Sequence, residues 1–63
     1  MLKQEDMTVD ARAIFNELSN EPATAGEIAQ ATHVSPESCE FILTQLVMAG
    51  LSDYKLGCYT RLP

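Results

Sequence analysis

Between Thr8 and Asn20, with Met7 leading in, the apolar residues Met7, Ala11, Ile14, Phe15 and Leu18 recur at steps of three and four, the period of an amphipathic helix. A first helix is expected there, capped by Thr8 or Asp10. Ser19-Asn20-Glu21-Pro22 ends it, because Pro22 pushes the residue before it out of the helical region. Thr24-Ala25-Gly26-Glu27 then has the form of a capping box, in which the Thr hydroxyl and the Glu carboxylate exchange hydrogen bonds with each other's backbone N–H. The helix it opens runs to about Thr32 and carries Ala25, Ile28, Ala29 and Thr32 along one stripe, with Gly26 permitting close approach of another backbone. His33-Val34 makes a turn, and Ser35-Pro36 starts a third helix with an N-cap hydroxyl and a proline at the first helical position. That helix continues through Ala49, and Gly50 supplies the left-handed residue that closes it.

After Gly50 the period changes. Leu51 to Tyr54 and Cys58 to Leu62 are short β-forming runs joined by Lys55-Leu56-Gly57, which predicts a hairpin. The expected architecture is α+β, mainly α: three helices and then a two-stranded wing. Residues 1 to 6 are expected to form a flexible tail and residues 7 to 63 one domain, with Met1 pointing to a whole protein rather than an excised piece.

Charge changes the picture more than size does. The 63-residue chain carries a formal net charge of −5. No Lys or Arg lies between Arg12 and Lys55, while Glu17, Glu21, Glu27, Glu37, Glu40 and Asp53 all do. Such a chain repels nucleic acid and anionic membrane at long range. The N-terminus has no basic start and apolar run of a secretory signal, and no stretch approaches the roughly 20 apolar residues that span a bilayer. Two cysteines, Cys39 and Cys58, are too few for a secreted disulfide framework. Reduced thiols in the cytoplasm are therefore the default, and a single Cys39–Cys58 bridge is the alternative. So small a domain has a modest core, which keeps a homodimer open.

At about 100° per residue, Cys39, Ile42, Leu43, Leu46 and Val47 share the core side of the third helix. Glu37, Phe41, Thr44 and Met48 gather opposite, flanked by Glu40, with Ser38 in the first turn. Phe41 and Met48 either anchor a protein partner or a second copy, with Glu37 and Glu40 choosing a basic counterpart, or are covered locally by the wing, the tail and the helix end. In the wing, Lys55 and Arg61 with Tyr54 and Tyr59 are either phosphate contacts with stacking tyrosines or solvated charges beside a small core. His33, the only histidine, has no metal-ligand spacing to a Cys or acid, and Cys39 faces the core away from it. No triad or phosphate-cradling loop occurs, so neither an enzyme nor a cofactor is expected.

The stretches Thr24-Ala25-Gly26-Glu27-Ile28-Ala29, Val34-Ser35-Pro36-Glu37-Ser38 and Ala49-Gly50-Leu51, with Leu43 and Leu46, resemble the winged-helix superfamily of bacterial regulators. From Ile14 to Leu62, about four fifths of the chain, the sequence is similar to the C-terminal winged-helix domain of the DNA-processing protein A family, down to its Gly57-Cys58-Tyr59-Thr60-Arg61-Leu62 ending. The resemblance implies a DNA-associated, transcriptional-regulator-like module whose third helix enters the major groove while the wing touches phosphates. DNA-binding versions carry Arg, Lys or His on the outer face of that helix; here those places hold Glu37, Glu40, Phe41 and Thr44. Weak direct affinity for duplex DNA is therefore expected, whether as a dimer or through a partner that supplies the positive charge. The rival reading is a protein-interaction module that uses the same face. An acidic mimic of nucleic acid also matches the sign of the charge, but it needs more acids on one face than the sequence places there.

Overall fold

A computed structural model describes residues 8–63; the proposed tail and Met7 lie outside the described residues. The order is α1 (Val9–Glu17), α2 (Ala25–Thr32), α3 (Pro36–Met48), β1 (Ser52–Lys55) and β2 (Cys58–Arg61), three helices followed by an antiparallel hairpin in winged-helix-like topology.

The local start signals operate as expected. Thr8 caps α1 by accepting from the Ala11 N–H at 3.2 Å, with Asp10 left to complement the dipole in the first turn. Thr24 and Glu27 form the full capping box, at 3.1 and 2.9 Å. Ser35 accepts from the Ser38 N–H, with Pro36 at the head of α3. At the other end of α3, Leu51 N–H bonds to Leu46 C=O and Gly50 N–H to Val47 C=O, the paired bonds of a Schellman motif, with Gly50 at φ 78. That motif turns the chain directly from α3 into the wing.

The core is formed by one face of each helix. Ile14, Ile28, Cys39, Leu43 and Leu46 are all but fully buried, with Ala11, Leu18, Ala29 and Val34 around them. Replacing Leu43 or Leu46 by Ala in so small a core costs about 2–5 kcal/mol, a large part of the stability a domain of this size has. Ser52 is the one buried polar side chain among the described residues, and its hydroxyl donates to Thr60 C=O at 2.8 Å across the hairpin.

Several expectations are corrected. Helix α1 stops at Glu17 rather than Asn20, because Leu18 leaves the helix in an extended conformation (ψ 139) to bury its side chain. The chain then runs to Ala23, which pairs with Tyr59 through two backbone hydrogen bonds of 3.1 and 2.7 Å and so extends the hairpin by one bridge. Gly26 meets no other backbone: an added Cβ would touch only the Thr24 hydroxyl at 3.9 Å. The turn expected at His33 does follow α2, with His33 as its C-cap in a left-handed conformation at φ 61.

Lys55 pairs with Cys58, so the hairpin turn is the two-residue loop Leu56-Gly57. Both have positive φ, 54 and 81, as a type I′ turn requires. Leu56 is 95% exposed there, so neither its backbone preference nor its solvation favours the position. Leu56→Asn, which creates the preferred Asn-Gly pair, is expected to stabilise the domain by about 0.5–1 kcal/mol and raise Tm by several degrees. An unchanged or lower Tm in thermal unfolding would contradict the turn assignment.

Candidate functional site

Helix α3 presents its outer face to solvent because its inner face is locked in the core and the Schellman turn carries the wing to one side. Glu37, Ser38, Glu40, Phe41, Thr44 and Met48 are all exposed, Phe41 to 65% and Met48 to 82%. The wing does not cover Phe41, and Met48 projects from the helix end rather than packing on it; the tail, the other expected cover for Phe41, lies outside the described residues. Thr44 turns its hydroxyl back to Glu40 C=O at 2.9 Å, so its proton is already committed within the helix. Ile42 and Val47 are half-buried at the margins of the core face.

The wing residues divide. Tyr54 and Tyr59 face each other across the strands with ring centroids 4.8 Å apart at 47°, and together with Thr44 and Val47 they line a shallow groove between α3 and the hairpin. Tyr59 is half-buried, and its phenol is pushed above its ordinary value by burial first and then by the neighbouring Tyr54, Glu40 and Cys39. Lys55 is exposed beside the turn. Arg61 is neither a solvated charge nor turned towards the α3 face. Its Nη2 donates to Phe15 C=O at 2.7 Å and its guanidinium lies over the Phe15 ring at 4.1 Å. Its Nε is buried without a hydrogen-bond partner among the described residues. Helix α1 has no basic residue in its own last turn, and Arg61 supplies that charge from 46 positions away. Sequence reasoning missed this clasp, since no local pattern links Phe15 to Arg61.

A second concavity adjoins the first turn of α3. Thr8 and Asp10 from the start of α1 line it with Glu37, Ser38, Phe41 and Ile42. Asp10 was legible in the sequence only as a capping residue; the packing of α1 on α3 brings it to the same face as Glu37. Among the described residues no Lys or Arg lines either concavity.

The thiols contribute no chemistry to this face. Cys39 and Cys58 are both free, so the alternative Cys39–Cys58 bridge is not formed. The Cys39 Sγ–H is directed at Ala25 C=O at 3.5 Å, and burial, with Glu40 nearby, pushes its pKa up, away from the reactive thiolate. His33 is exposed in its turn. Among the described residues no group of three His, Cys, Asp or Glu side chains could hold a metal ion, and no helix is long and apolar enough to cross a membrane.

No protein-family model matches the chain, and no curated protein matches it. What the α3 face can do follows from its own chemistry: carboxylates, an exposed Phe and Met, two tyrosines and a single available wing lysine.

If Arg61 clasps α1, Arg61→Met loses a charge-assisted hydrogen bond and a cation–π contact and is expected to destabilise the domain by about 1–2 kcal/mol in urea unfolding. Arg61→Lys should recover only part of that, since an ammonium lacks the planar fork. A wild-type midpoint for Arg61→Met would show that the clasp contributes nothing.

Proposed function

We propose that this chain is a non-enzymatic, cytoplasmic winged-helix module of the bacterial regulator type that works by docking on protein. The outer face of α3 and the flank of the wing form its contact surface, and association with duplex DNA runs through the partner. The observation that carries this reading is the composition of that face: Glu37 and Glu40 beside an exposed Phe41 and Met48, with Arg61 drawn away to α1.

A duplex reader draws most of its non-specific affinity from Lys and Arg on phosphates, so a module without them begins several kcal/mol behind. A glutamate can accept from a cytosine amino group, but only when neighbouring cations hold it against the polyanion. Across α3 and the wing there are two cations, Lys55 and Arg61, and the second is engaged. Protein interfaces, by contrast, use aromatic and methionine anchors ringed by charge, which is what this face offers.

The rival, direct DNA reading, draws on the uncovered α3 and the exposed Lys55 at the wing, the two elements a groove reader uses. Isotope-labelled protein titrated with random duplex at low salt separates the two. Docking predicts silent backbone amides from Glu37 to Met48 and at Lys55, whereas concerted shifts there would favour DNA. Because both side chains are exposed, the double variant Phe41→Ala, Met48→Ala should stay within about 0.5 kcal/mol of wild-type stability. A loss well beyond that would instead mark Phe41 and Met48 as structural.

A further inference from the structure

We propose that the occupant of the α3 face is a basic amphipathic helix of a partner protein. It sets an apolar side chain in the groove of Thr44, Val47, Tyr54 and Tyr59, and a Lys or Arg in the notch that holds Asp10 and Glu37. This rests on the docking reading above and names the chemistry of the partner.

Two concavities of opposite character flank one ridge. The groove between α3 and the wing is walled by two tyrosine rings and a valine, with the Thr44 hydroxyl turned back into its own helix. The notch at the start of α3 brings Asp10 of α1 and Glu37 of α3 to the same hollow, and among the described residues no cation lines it. Phe41, 65% exposed, walls the notch on the side of the ridge. The centres of the two concavities fall about six residues apart on α3, on the order of 9 Å along the axis, which is between one and two turns of a helix. The two also lie on opposite sides of the ridge, since Val47 and Ser38 are about half a turn apart around the axis. A helix that crosses the ridge beside Phe41 therefore meets one with its apolar edge and the other with its basic edge.

Charge selects among the occupants. A second copy of this chain brings a net charge of −5 to the contact, and its three described helices carry one basic residue between them, Arg12. Pairing the faces would set carboxylate-bearing surfaces together, with Lys55 as the one available cation that each described face brings. Duplex DNA meets the same repulsion. A helix that is basic on one edge and apolar on the other satisfies both concavities and is steered to them at long range.

The test is a phage-displayed library of random helical peptides selected against the immobilised 63-residue protein, with sedimentation of the protein alone in parallel. The proposal expects enriched sequences with Lys or Arg along one edge of the helix and an aromatic or aliphatic residue on the other. Their binding should weaken as salt rises and fall at least about tenfold with Phe41→Ala and, separately, with Asp10→Asn plus Glu37→Gln. All three positions are exposed, so these variants should keep the wild-type circular dichroism spectrum. Binders that depend on Phe41 but show no basic enrichment would overturn this inference and leave the docking reading standing. Absence of any Phe41-dependent binder would overturn both. Self-association removed by Phe41→Ala would identify a second copy as the occupant, against the proposal.

Discussion

The contact between Arg61 and Phe15 holds the two ends of this structure in one arrangement. It comes with two backbone ties: Arg61 N–H donates to Ser19 C=O at 3.0 Å, and Tyr59 pairs with Ala23. Together they fasten β2 along the segment between α1 and α2. Leu62 N–H, bonded to Leu51 C=O, secures the other side of the hairpin base. A two-stranded hairpin is marginal by itself, so the wing keeps its place beside α3 through such anchors, the Schellman turn and the packing of Leu51 and Tyr59 on the core.

That fastening has two effects on the surface. It fixes Tyr59 next to Tyr54, and with them the wall of the groove beside Thr44 and Val47. It also removes a guanidinium from the side where a polyanion would approach, leaving Lys55 as the available cation of the wing. The same residue thus stabilises the fold and shifts the electrostatic character of the α3 face. Packing of α1 against α3 acts in the same direction by adding Asp10 to the notch that Glu37 lines. The acidity of the face is a product of tertiary structure as much as of sequence.

Much of the fold is legible in the sequence because its punctuation is local. The capping box at Thr24 and Glu27, the Ser35-Pro36 start and Gly50 each act within a few residues, and each sits where the chain pattern places it. The split of α3 into a buried side at Cys39, Leu43 and Leu46 and an exposed side at Glu37, Phe41, Thr44 and Met48 also follows from periodicity alone. What stays hidden depends on distant partners. Leu18 leaves α1 early to reach the core, Ala23 joins the hairpin through Tyr59, and Arg61 reaches back to Phe15; none has a nearby residue that announces it. Gly26 fails for the opposite reason, since a glycine implies close packing only where something packs, and here nothing does. Of the candidate site, the α3 residues were readable, while the division of the wing and the part played by Asp10 were not.

If the charges on α3 decide which macromolecule it can meet, reversing them should change the partner. Fluorescence anisotropy of a labelled random duplex with wild-type protein and with the double variant Glu37→Arg, Glu40→Arg tests this directly. The account predicts no measurable binding by wild type at physiological salt. The variant should bind at least about tenfold more tightly than the limit that the wild-type titration sets, and its affinity should fall linearly in log–log form as salt rises. Wild-type protein that binds duplex tightly at physiological salt, and loses that binding when Glu37 and Glu40 are changed, would contradict it.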